Sequence, residues 1–228
     1  YGLMECKVGG ADCVISQTGF TGEKGYEIYV RDAHANAEKM WNAVLEAGEE
    51  FGLMVIAPAH HRRIAAGILS WGQDLDHETS PFQVNLSYQV PRNKKSDYIG
   101  KEELERQRAI IDEGNAPFKM KMVGITLGGK EITNYAPDFW LVTDTEDKEV
   151  GYVTSPWWSP ELETNIALAW VPWEASEVGT KYKVKLPDEY SETPGVSVDA
   201  EIVDVPFRES VNPNKREVQA AKGLDFAD

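Results

Sequence analysis

The chain has 228 residues, a length typical of one large domain or two small ones. Its 23 Lys and Arg residues against 38 Asp and Glu residues give a formal net charge of −15, which argues against binding nucleic acid or anionic membranes. No apolar run reaches the roughly 18 residues of a membrane span, and two Cys make no disulfide framework, so we expect a cytoplasmic protein with reduced thiols.

The first elements in chain order are strands and one helix. We expect a strand over 12–17 and a second over 26–30, where apolar and polar residues alternate. Residues 18–25 (TGFTGEKG) hold three glycines and predict a strand-to-strand connection. A helix follows, with Asp32 as its predicted N-cap and Gly52 as its stop.

Two further helices are predicted before the pattern changes. The second covers 59–69, after Pro58, and the third covers 101–112 with Gly114 as its stop. The pattern of residues 119–228 predicts short strands. Turns between them are predicted at glycines that include Gly151. Alternation at 181–186 and 196–202 favours a small antiparallel barrel or a sandwich.

The architecture predicted from these patterns is α+β. An α+β portion is followed by an all-β domain, with residues 1–115 forming the first domain and residues 116–228 the second.

A carboxylate at Glu27 directly follows the glycine-rich connection. On a rigid strand, a carboxylate can accept two parallel N–H bonds from a planar heterocycle. The alternative is an ordinary solvated glutamate on a strand, and the pattern alone does not separate the two.

Histidines and aspartates at His60, His61, Asp74, Asp76 and His77 raise the possibility of a metal site. Adjacent histidines on a helix point about 100° apart, and the later ligand positions of a calcium loop are missing. We therefore expect surface and capping residues here, and no metal.

Two basic spots are candidates for holding a ligand's anionic tail, although either could be a solvated face. They are Arg62 with Arg63, and Arg92 with Lys94 and Lys95.

Aromatic residues are dense in the second half. Trp157, Trp158, Trp170 and Trp173 can stack on a flat ligand or fill a barrel core. The residues by themselves thus indicate a fold and a planar-ligand site, without naming a reaction.

Four collinear stretches carry a resemblance to a known family. Residues 18–30 (TGFTGEKGYEIYV), 65–76, 97–104 and 153–171 resemble, in order, motifs of the glycine-cleavage T-protein family of tetrahydrofolate-dependent aminomethyltransferases and demethylases. The likeness covers about residues 12–207. It implies a folate-binding α/β body followed by a C-terminal barrel, with tetrahydrofolate as the cofactor.

The resemblance also assigns binding residues. It implies that Glu27 binds the pterin ring, that Phe20 stacks near the folate, and that Arg63 or the basic spot at 92–95 meets the anionic tail. It further implies that Arg208 is a basic residue of the site and that the loop carrying Trp158 walls the folate channel.

Departures from the family pattern favour one branch. Ala59 stands at an arginine position of the true T-protein, and Ser70, Trp71 and Gly72 replace the usual Leu-Tyr-Gly. The run at 158–165 (WSPELETN), together with Ser70, Trp71 and Gly72, is more similar to the demethylase branch, which includes dimethylsulfoniopropionate demethylase. The resemblance then implies transfer of a methyl group from an S- or N-methyl donor to tetrahydrofolate.

The family's catalytic aspartate lies upstream of the first motif, where this chain has only 17 residues. We therefore expect the chain to act with the missing N-terminal half or a partner chain. The alternatives are a folate-binding module that captures formaldehyde or methylene from a separate catalytic domain, a glycine-cleavage T-protein, and a structural or regulatory relative. The expected partner is a small-molecule methyl donor.

Overall fold

The computed structural model describes residues 2–58, 60–92 and 94–208. The chain divides into two compact units, residues 1–59 and 60–228. Ala59, which the sequence analysis aligned with an arginine position, lies outside the described residues.

The first unit is a three-stranded antiparallel sheet with one helix. Its elements are β1 (Leu3–Val8), β2 (Ala11–Ser16), β3 (Glu27–Val30) and α1 (Ala33–Gly48). The strands pair in the order β1-β2-β3. A two-residue turn at Gly9 and Gly10, both with positive φ, joins β1 to β2, which is the geometry that glycine adopts without a steric penalty.

Strand β1 was not predicted, whereas β2, β3 and α1 confirm the sequence patterns. Asp32 occupies the predicted N-cap position of α1, but its side chain makes no capping hydrogen bond, because its backbone is left-handed with φ 49°. Its carbonyl instead accepts hydrogen bonds from the amides of Ala35 and Asn36.

The second unit begins with two helices, α2 (His60–Ala65) and α3 (Lys101–Asp112). The prediction for α3 is confirmed at both ends, and Gly114 follows it with φ 80°. The prediction for α2 was too long. Gly67 turns the chain with φ 70° and donates its amide to the Ile64 carbonyl, which ends the helix.

Six antiparallel strands then close into a barrel, which confirms the predicted fold class. They are β4 (Met120–Leu127), β5 (Trp140–Thr143), β6 (Glu149–Ser159), β7 (Thr164–Pro172), β8 (Lys181–Val184) and β9 (Val198–Val203). Around the barrel the order is β4-β7-β6-β5-β8-β9. The predicted boundary at residues 115 and 116 falls between α3 and β4, and it stays a prediction.

Two apolar clusters sit on the two faces of the barrel wall. The inner cluster includes Val123, Val153 and Ala169, together with the alternating Tyr182 and Val184. The outer cluster packs α2 onto the barrel; it contains Ile64, Ala65, Val84, Met122, Ile166, Leu168 and Trp170. Because successive side chains of a strand point to opposite faces, β4 and β7 contribute residues to both clusters.

The turn predicted at Gly151 is wrong. Gly151 lies inside β6, opposite Val142 of β5. A Cβ atom there would lie 2.0 Å from the Trp170 carbonyl oxygen, so the residue is glycine because the neighbouring strand passes too close for a side chain.

No helix among the described residues is both long and apolar enough to cross a membrane.

Candidate functional site

Glu27 is the first residue of β3 and pairs with Ser16 of β2 across the sheet. The ten-residue connection between those strands carries the glycine-rich motif, and Gly22 there has φ 73°. Because Ile28 and Val30 point to the more buried face, alternation places the Glu27 side chain on the exposed face, as its candidate role requires.

The Glu27 carboxylate is held in one orientation by two neighbours. The hydroxyl of Thr18 and the phenol of Tyr29 both donate hydrogen bonds to Oε2, the latter at 3.0 Å. Among the described residues no donor reaches Oε1, so one oxygen is fixed while the other stays open to a ligand. A bound N–H pair would find this carboxylate already oriented.

Tyr29 was not identified from the sequence as part of this site. Its hydrogen bond to Glu27 and the charge of that carboxylate raise the pKa of the Tyr29 phenol. The phenol therefore remains a donor at neutral pH. Tyr29 lies two residues after Glu27 on the same strand, so period-two alternation was the signal that could have found it.

Phe20 lies in the glycine-rich connection with its side chain 50% exposed. That exposure is compatible with the predicted stacking role, which stays a prediction. Glu27 and Phe20 both belong to the first unit.

In contrast to Phe20, Arg63 is buried, and its side chain is only 2% exposed. Its guanidinium donates to Asp74 Oδ2 at 2.8 Å, to the Ile68 carbonyl at 3.0 Å, to Ser155 Oγ at 2.8 Å and to Gln73 Oε1 at 3.2 Å. These bonds tie α2 to strand β6. The predicted contact of Arg63 with an anionic ligand tail stays a prediction; the observed partner is an internal carboxylate.

Asp74 is a buried anion, so its predicted position at the surface is wrong. The Ser70 amide donates to Oδ2 at 2.7 Å, and the hydroxyls of Thr154 and Ser155 donate to Oδ1 at 2.6 Å each. The indole of Trp170 donates to the Asp74 carbonyl oxygen at 3.0 Å. Partners this distant in sequence leave no local signal, which is why sequence reasoning missed the network.

His60 borders that network. Its ring lies 5.3 Å from the ring of Trp157 and 5.6 Å from that of Tyr135, and Arg63 Nε lies 3.4 Å from its Nδ1. Burial, followed by the charge of Arg63, lowers the pKa of the His60 imidazole, against a smaller opposing effect of Asp74.

This lowered pKa predicts acid sensitivity. The unfolded chain binds a proton at His60 more readily than the folded chain does, so stability should fall as the pH drops below about 6.5. We expect His60→Gln to reduce that fall between pH 7.5 and pH 5.5 in urea unfolding followed by tryptophan fluorescence. The exposed His77→Gln variant should keep the wild-type pH dependence, and equal behaviour of the two variants would contradict the assignment.

The other predicted binding residues, Trp158 and Arg208, also belong to the second unit. Trp158 is half-buried in β6, so the pair with Trp157 lies in a strand and the predicted loop is wrong. The two indoles point to opposite faces of that strand, with Trp157 against the outer cluster. Arg208 Nε lies 2.7 Å from Glu161 Oε2, and its amide donates to the Ala65 carbonyl at 3.1 Å.

The second basic spot is already partly paired. Arg92 makes a bidentate salt bridge with Asp112, with N–O distances of 2.6 and 2.8 Å. Lys94 Nζ lies 4.7 Å from the centre of the Tyr98 ring. Asn93 between them lies outside the described residues.

Within the described ranges no group of three His, Cys, Asp or Glu residues is placed to hold a metal ion. Asp76 instead caps its own turn by accepting hydrogen bonds from the Glu78 amide and the Thr79 hydroxyl, and these lower the pKa of its carboxyl group.

Comparison with known families decides what this chain is related to. Residues 1–94 match the family model of the GCVT N-terminal domain, and residues 120–208 match that of the glycine cleavage T-protein C-terminal barrel domain. The chain belongs to the glycine cleavage T-protein family. The six-stranded barrel described above is therefore the family's C-terminal barrel, and the strand carrying Glu27 lies within the family's N-terminal domain.

Curated relatives of this T-protein family member are aminomethyltransferases. The one from Geobacillus sp. (strain WCH70) is 32% identical over 205 residues, which cover 89% of this chain and 51% of the relative. The one from Oceanobacillus iheyensis is 36% identical over 178 residues, covering 77% and 45%. The chain thus spans about half the length of the curated relatives it matches.

A solved structure shares the fold. The crystal structure of glycine cleavage system aminomethyltransferase T from Bartonella henselae matches with a TM-score of 0.65 at 24% identity, covering 86% of this chain and 50% of that chain. At this identity the likeness describes the fold alone.

Proposed function

We propose that this chain forms part of a tetrahydrofolate-dependent one-carbon transferase. The observation that carries the proposal is the exposed Glu27 carboxylate, oriented by Thr18 and Tyr29 with Oε1 open. A reduced pterin presents adjacent N–H donors in one plane, and the open Oε1 can accept from them. The family membership supports the same ligand.

Tetrahydrofolate would supply the nitrogen that accepts the one-carbon unit. On this chain, Glu27 would hold the pterin edge and Phe20 would provide an aromatic face for the ring. Charge-assisted hydrogen bonds of this kind fix orientation, and orientation is a large part of catalysis in group transfer.

We propose further that the donor carries an S- or N-methyl group, which makes the complete protein a demethylase. The support is in the sequence, at the departures Ser70, Trp71 and Gly72 from the T-protein pattern. With a sulfonium donor, the S–CH₃ bond would break, a bond to folate N5 would form, and N5 would release its proton. The competing proposal is aminomethyl transfer, which the names of the curated relatives favour.

We propose that the remainder of the family fold, from the same polypeptide or a partner chain, completes the folate site. The support is the exposed apolar surface of the first unit. Leu3, Phe51, Met54 and Ile56 are each at least 65% exposed there. An apolar surface of this kind on a unit of fewer than 60 residues is typical of an interface.

The products of a donor panel test the donor class. The protein as translated in the cell is incubated with tetrahydrofolate and, in turn, dimethylsulfoniopropionate, dimethylglycine, trimethylamine oxide or an aminomethylated lipoyl carrier, and the folates are separated. We expect 5-methyl-tetrahydrofolate from a methyl donor. 5,10-Methylene-tetrahydrofolate from the lipoyl carrier would overturn the demethylase proposal in favour of aminomethyl transfer. The same product from trimethylamine oxide would indicate formaldehyde capture.

A further inference from the structure

One end of the barrel holds a cavity of about 370 Å³. Val123 and Ile202, which belong to the inner apolar cluster, lie in its lining. Ser176 and Tyr88 add hydroxyl groups to it. A volume of this size suits a small organic molecule, and the lining, which is more polar than apolar, suits a ligand with a polar or charged end.

Lys121 contributes a cation to this cavity. It lies two residues before Val123 on β4, so alternation turns its side chain toward the barrel interior, at the strand's end. Burial lowers the pKa of its ammonium group. Its Nζ lies 5.2 Å from the centre of the Trp173 ring, and within the described ranges no carboxylate comes within ion-pair distance of it.

Burial disfavours the charged form of this half-buried lysine, and the face of the Trp173 ring compensates for only part of that cost. Two other lysines, by contrast, have carboxylate partners. Lys7 and Lys183 each lie within 2.8 Å of a carboxylate oxygen.

A second cavity, of about 200 Å³, adjoins the first and also has Lys121, Asn85 and Ser87 in its lining. Two further cations, Arg92 and Arg108, line it. Arg92 is paired with Asp112 and Arg108 donates to the Val90 carbonyl, so these groups are occupied, yet Arg108 still adds positive potential beside Lys121.

We propose that the barrel mouth binds a small monocarboxylate, with its anionic end at Lys121 and its apolar part against Val123 and Ile202. Asp204 also lines the cavity, and its carboxylate limits the negative charge that a ligand can carry there. A second negative charge on the ligand would be repelled by Asp204, so a phosphate dianion fits less well than a carboxylate. This site lies within the second unit and is independent of Glu27 and of the proposed folate chemistry.

The test uses benzoate as the probe and benzamide as its neutral isostere. Backbone amide shifts of the ¹⁵N-labelled chain are followed by NMR, and we expect saturable shifts with benzoate at Gly124 and Val205, which line the mouth. Benzamide should bind at least about 10-fold more weakly, since it lacks the charge that pairs with Lys121. Because this comparison needs no substitution, it does not depend on whether a variant folds.

Lys121→Met should weaken benzoate binding at least about 10-fold, whereas Lys185→Met, at an exposed lysine of the same unit, should leave it unchanged. The proposal is overturned if benzoate gives no saturable shift at the mouth. It is also overturned if benzamide binds as tightly as benzoate, or if the Lys121→Met variant binds benzoate as tightly as the wild-type chain does. Tighter binding of inorganic phosphate than of benzoate would overturn the monocarboxylate class.

Discussion

Arg63→Met is expected to destabilise the second unit by about 3–5 kcal/mol, because it leaves the buried carboxylate of Asp74 without its cation. The two side chains are 2% and 0% exposed, so water cannot replace the lost partner. Ser155 and Gln73 would also lose the hydrogen bonds that they accept from the guanidinium. The measurement is urea unfolding followed by tryptophan fluorescence, to which Trp170 contributes beside the network, since its indole donates to the Asp74 carbonyl.

The matched control is Arg106→Met. Arg106 makes a bidentate salt bridge with the carboxylate of Glu103, but both side chains are more than half exposed. We expect a small loss there, since exposed pairs contribute little. Arg63→Lys keeps the charge without the planar fork and should fall between the two. If Arg63→Met costs no more than Arg106→Met, the buried pair does not anchor α2 to the barrel.

Glu27→Gln is expected to weaken tetrahydrofolate binding about 10- to 100-fold in the protein as translated. Hydrogen bonds to a charged group contribute roughly 1.5–3 kcal/mol, and the amide also places an N–H donor against the pterin's own donors. Glutamine has the same shape, so the fold of the exposed strand should be unaffected. Binding is measured by calorimetry or by quenching of protein fluorescence.

Glu38→Gln serves as the control, because Glu38 is an exposed glutamate of α1 in the same unit. It should leave folate affinity unchanged. Equal affinities of wild type and Glu27→Gln would remove Glu27 from the site and, with it, the observation on which the proposed function rests. Tyr29→Phe should give a smaller loss, because it removes only one of the two hydroxyls that orient Oε2.

Local patterns were sufficient to predict much of the fold. The helix over 101–112 was found at both ends, because its glycine stop and its apolar face lie within the helix and its flanks. Alternation identified β8 through Tyr182 and Val184, since each side chain of a strand reports its face directly. The glycine-rich connection likewise located Glu27 at the exposed start of β3.

Helix ends and turns were less predictable where distant contacts decide them. Gly151 resembles a turn glycine, yet it lies inside β6 because Trp170 on the next strand approaches its backbone. Asp32 stands where a capping residue would, but the chain enters α1 through a left-handed backbone that directs its side chain elsewhere. Neither feature is visible within the few residues that local reasoning uses.

The sequence by itself determined the family, the barrel and the position of the Glu27 carboxylate, because motifs, alternation and glycine turns are local properties of the chain. The tertiary structure alone decided which charged groups are buried. Arg63 and Ser155 are 92 positions apart, and only the packing of α2 on β6 brings them to 2.8 Å. Lys121 reads as an ordinary strand lysine until closure of the barrel places it in a cavity, because burial depends on what distant strands contribute around it.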